Sequence, residues 1–95
     1  MATDDERKAT KKAQEILCSL TPSTPRTDQI IFALGYAAGI ATEGSMNASS
    51  EAMAHYVRAA TALRAVCLQL DQRSVTHEMI ERAKQAVEAW VNNLQ

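Results

Sequence analysis

Between Ile30 and Ala41 the chain carries no charged side chain and scarcely a polar one, and this stretch constrains the fold more than any other. Its bulky side chains fall on two stripes at helical spacing. Ile30, Ile31 and Leu34 make one; Phe32, Tyr36 and Ile40, at i, i+4 and i+8, make the other. Gly35, Gly39 and Thr42 line the seam between them on one side, and Ala33, Ala37 and Ala41 line it on the other. A helix that is apolar all round must be covered all round. The pattern therefore predicts a central helix over about 25–43. Its apolar perimeter is more than three companion helices of one short chain are expected to shield.

Three companions are legible. Thr3 and Glu6 have capping-box spacing, and Ala9, Ala13, Ile16, Leu17 and Leu20 follow on one face, with Lys8, Lys11, Lys12 and Glu15 on the other. This predicts a helix over about 4–20 that stops before Pro22. Thr24 before Pro25 suits the start of the second helix, with Thr27 as the alternative cap, and Gly44 suits its end. Over about 50–71, capped by Ser49, the residues Met53, Tyr56, Ala60, Leu63, Cys67 and Leu70 step by 3 and 4, the pattern of a bundle seam. Over about 77–94, after Thr76 as cap, Ile80, Ala83, Val87, Trp90 and Leu94 do the same. The joints are short, which favours antiparallel neighbours. The expected fold is all-α, a four-helix bundle in a single domain over 1–95, associating as a dimer.

Size and composition agree with this. A chain of 95 residues buries about 60–68% of its unfolded surface, enough for one core. Aromatics are only 4%, Gly 3 and Pro 2, too few turn-formers for an all-β sandwich. Ten Lys and Arg face eleven Asp and Glu. Residues 1–28 hold five of each sign, 29–70 two of each, and 71–95 three basic and four acidic. No segment forms the concentrated basic surface that nucleic-acid binding needs, so no nucleic-acid partner is expected. The longest uncharged run, Gln29 to Thr42, is shorter than the ~20 residues of a membrane span. The charged beginning, from Asp4 onward, does not read as a secretory signal. The expected location is the cytoplasm, with no membrane partner.

Catalytic signatures are lacking: there is no G-x-S-x-G, P-loop, H-E-x-x-H or C-x-x-C. Cys18 lies off the buried stripe of its helix and reads as a peripheral thiol. Cys67 lies on a seam, where a free Cys acts as a small hydrophobe. His55, His77, Cys18 and Cys67 do not have the spacing of a structural zinc site, so no metal and no cofactor are expected. Asp4/Asp5 and Glu78/Glu81 are paired carboxylates without the apolar surroundings that raise a pKa for acid catalysis. The segment Ala54-His55-Tyr56-Val57-Arg58-Ala59 places a His on the outer face of a bundle helix, with a cation one turn later. It resembles histidine-phosphotransfer domains, helical bundles that carry a phosphoryl group on an exposed His. That resemblance spans about six residues and implies His55 as phosphoryl acceptor with Arg58 beside it. The family places Lys and Gly where Arg58 and Ala59 stand, and the Ala59 methyl occupies space that an incoming regulator domain uses.

The reading that the residues favour is a non-enzymatic regulator (an adaptor, antagonist or anti-activator of bacterial or phage type) that binds a protein partner through the second helix. Ile31, Phe32, Gly35, Tyr36, Gly39 and Ile40 are the expected partner or dimer interface. Large aromatics are common binding anchors, and the glycines admit a close-lying backbone.

Overall fold

A computed structural model describes residues 3–94 and contains, among them, four α-helices and no strand. They are α1 (Asp4–Ser19), α2 (Asp28–Ser45), α3 (Ser50–Asp71) and α4 (His77–Asn92). Each begins at a hydroxyl cap that accepts a backbone N–H: Thr3 from Glu6, Thr27 from Ile30, Ser49 from Ala52 and Thr76 from Met79. The capping box at Thr3 is only half made, because the Glu6 side chain turns inward to lie near Gly44 and Tyr56.

The start of α2 differs from the expectation at Pro25. The Thr24 hydroxyl is used inside the preceding turn, where it accepts from the Thr21 N–H at 2.8 Å. Arg26 lies outside the helix and donates to Asp28 at 2.8 Å and to Asp71 at 2.7 Å. The cap therefore passes to Thr27.

The helices form a ring. α2 packs against α1 and α3, and α4 packs against α3 and α1, while the diagonal pairs do not meet among the described residues. Arg26 at the start of α2 reaches Asp71 at the end of α3, and Gly44 near the end of α2 lies beside Tyr56 near the start of α3. Sequential helices are thus antiparallel, as the short joints predicted. The core is built on Leu17, Leu34, Leu63, Val66, Ile80, Val87 and Trp90, with alanines such as Ala13, Ala37, Ala41, Ala59 and Ala83 between them. Alanine combines the best helix propensity with a small radius, so the helices lie close and few large side chains are needed to fill the interior.

Because every helix has two neighbours, buried arcs are wider than single seams. On α3 the buried set is Ala52, Tyr56, Ala59, Ala60, Leu63, Val66 and Leu70. Met53, expected on the seam, is instead exposed, and Cys67 is half-buried toward α2, its Sγ 3.9 Å from the Ile31 carbonyl oxygen. The α4 stripe is buried as expected from Ile80 to Trp90, but the helix stops at Asn92, where Asn93 caps it and donates its side-chain amide to the Ala89 carbonyl at 2.7 Å.

Gly44 does not end α2. It lies inside the helix without a positive φ, and its role is space. A Cβ there would stand 2.8 Å from Tyr56 Cε1. Gly44→Ala is expected to cost about 1–3 kcal/mol in overpacking, offset by about 1 kcal/mol of helix propensity. The net is a loss on the order of 1 kcal/mol, read as a lower urea midpoint at unchanged slope.

Candidate functional site

The inward arc of α2 consists of Leu34, Ala37, Ala38 and Ala41. The alanine seam, not the glycine seam, faces the core. The opposite arc has no covering helix, since α4 lies diagonally across the ring. Phe32, 74% exposed, and Tyr36, 47% exposed, stand on it one turn apart with rings stacked at 6.2 Å and 9°. Gly35 and Gly39 are exposed beside them. Ile31 and Ile40 flank them. Both are half-buried at the edges of the arc, packed against the core from the α3 and α1 sides.

The two glycines contrast with Gly44. A Cβ built at Gly35 or Gly39 meets nothing within 4 Å. Each costs the helix about 1 kcal/mol relative to alanine. No packing inside the chain accounts for that cost. With the aromatic pair they form a ridge and a trough side by side. Burying a Phe or Tyr ring stabilises a contact by about 1.5–3 kcal/mol.

The edges are polar. On the α1 side a cleft of about 520 Å³ is lined by Lys8, Lys12, Gln29, Phe32 and Tyr36. On the α3 side Arg64 donates to the Thr42 hydroxyl at 2.8 Å, and Leu68 is exposed. Lys8, Lys11 and Lys12 make no ion pair among the described residues. In the sequence they read only as the wet face of α1. Their place beside the aromatic ridge follows from the packing of α1 on α2, which no local pattern records.

The other candidates fall elsewhere. His55 is not on the outer face of α3. It is half-buried, and its Nδ1 is enclosed without a partner among the described residues, while Arg58 one turn on is exposed. Cys18 is exposed on α1, and Cys67 sits on the diagonal helix, so the thiols are free and apart. Burial pushes the Cys67 thiol above its ordinary value, which keeps it protonated and inert near neutral pH. Tyr56 is raised too, first by burial and then by the charge of Glu6, so its hydroxyl is no base. Hydrogen bonds from Arg26 to Asp28 and Asp71 raise the guanidinium and tie α2 to α3. No group of three or more metal-ligating side chains occurs among the described residues. No described helix is long and apolar enough to cross a membrane. Comparison with known protein families, with curated proteins and with solved structures returned no match.

Proposed function

We propose that this chain is a non-enzymatic regulator that works by docking another protein on the outer arc of α2. The observation that carries the reading is Phe32, 74% exposed and stacked on Tyr36, beside glycines whose missing side chains serve no contact within the chain. Apolar patches of this kind on small proteins mark interaction sites. Paired aromatics with polar edges have the anatomy of a binding hot spot.

Tyr36→Arg tests this. Tyr36 projects into solvent, so the change is expected to alter folding stability by less than about 0.5 kcal/mol. Helix content by circular dichroism stays as in the parent. Affinity for a protein captured by the parent chain falls at least about tenfold, the loss of roughly 1.4 kcal/mol at one anchor. A captured protein that binds parent and variant equally places docking elsewhere and ends the proposal.

A further inference from the structure

We propose that the outward side of α3 is a second docking surface, and that its occupant is an acidic amphipathic helix of a partner protein, laid along the groove that α3 makes with the edge of α4.

The apolar pattern of α3 continues beyond its buried arc. Ala54, Val57, Thr61, Ala65 and Leu68 step by 3 and 4 along the side away from the core, and all are exposed or half-buried. That is the spacing at which one helix receives the side chains of another. Along this stripe runs a cleft of about 730 Å³, lined by Met53, Ala54, Val57, Ala62 and Ala65, with the last two half-buried. The lining extends from Ser50 to Ala65, about 22 Å of helix or four turns. None of it is shared with the cleft beside Phe32 and Tyr36.

Charge names the occupant. Arg58 and Arg82 line the cleft and no carboxylate does. Arg64 stands on the α2 side of the stripe, where it donates to Thr42. α3 carries no carboxylate between Glu51 and Asp71. On α4, Glu88 lines the cleft on the α1 side, and Glu81 pairs with Lys84, which lines that same cleft. Glu78 reaches Arg82 at 2.8 Å, but the pair is exposed on both sides, and exposed pairs of this kind are weak and easily exchanged. Arg58 and Arg64 have no ion pair among the described residues. Guanidiniums about an apolar strip hold carboxylates through charge-assisted hydrogen bonds and repel a basic partner. A helix with an apolar face in the cleft and acidic flanks against Arg58, Arg64 and Arg82 meets both demands.

The test uses the full chain and a synthetic helix of about five turns, with leucines at every third and fourth position and glutamates on the flanks. Its counterpart carries lysine for glutamate. The glutamate helix is expected to shift the amide signals of Met53, Val57, Ala65 and Arg82, with a dissociation constant of about 10–100 μM. The lysine helix is expected to bind at least about tenfold more weakly. Val57→Asp, at an exposed position, is expected to lower affinity for the glutamate helix at least about tenfold at unchanged helix content. Arg58→Glu with Arg82→Glu is expected to reverse the preference between the two helices, while Tyr36→Arg leaves it as it is. Equal affinity for both helices, or none for the glutamate helix at about 1 mM, overturns the proposal. Shifts confined to Phe32 and Tyr36 overturn it too, because they place the acidic helix on the α2 arc. A parent chain dimeric by light scattering and made monomeric by Val57→Asp gives the groove to a second copy instead.

Discussion

Trp90→Ala is expected to remove about 3–5 kcal/mol of folding stability. The indole is fully buried, its ring 6.1 Å from that of Tyr56 and tilted by 58°. Around it the core is largely alanine, and alanine side chains have no rotamers with which to close a cavity. A domain of this size holds about 5–14 kcal/mol in all, so about a fifth of the total or more is at stake. Trp90 is the single tryptophan of the chain, so unfolding of the variant must be followed by circular dichroism in urea. The midpoint is expected to fall by about 2–3 M, given a slope of about 1.5 kcal/mol per M. Trp90→Phe should lose far less, about 1.5 kcal/mol or under. It keeps most of the ring and removes an indole N–H that has no partner among the described residues. Equal losses in the two variants would mean that the N–H, rather than ring volume, holds this end of the bundle.

The double substitution Gly35→Ala, Gly39→Ala is expected to act in the opposite direction and stabilise the fold by about 2 kcal/mol. Both positions are helical, both are exposed, and a methyl at either meets open space. Measured in a Phe32→Glu background, so that association across the face does not contribute, the melting temperature should rise by about 8–16 °C. In the parent background the same methyl groups fill the trough, and binding of a protein partner across the face should weaken while the fold becomes more stable. A stability gain with a binding loss separates residues kept for contact from residues kept for folding. A drop in melting temperature would show that the glycines serve the chain's own backbone.

Gly35, Gly39 and Gly44 lie on one helix and show how far local pattern reaches. Gly44 reads in the sequence as a helix stop, yet it is a gap for the Tyr56 ring. That role depends on a residue of another helix, brought opposite only when α2 and α3 pack. The aromatic pair was legible as a stripe, but the periodicity of α2 is apolar in every direction. It offers no means of ranking the arc through Leu34 and the alanines above the arc through Phe32. Ile31 and Ile40 stand at the margins of that arc, partly buried against the core, a difference from Phe32 and Tyr36 that the spacing does not encode. A helix with a single buried seam puts His55 outside. With neighbours on two sides the buried arc extends to it.

The sequence by itself determined the four helices, three of their four leading caps without ambiguity, and the antiparallel order of the chain. These depend on hydrogen bonds and apolar spacings within four residues and on joints too short to cross the bundle. Only the tertiary structure decided which side of α2 is inward, that α1 and α3 stand diagonally with Cys18 and Cys67 apart, and that Lys8 and Lys12 flank Phe32 and Tyr36. A helix with no polar face carries no internal signal of orientation. Its rotation is set by which neighbours fill its grooves most closely, and the small Leu34–Ala37–Ala38–Ala41 arc admits α1 and α3 where the Phe32–Tyr36 ridge would hold them off.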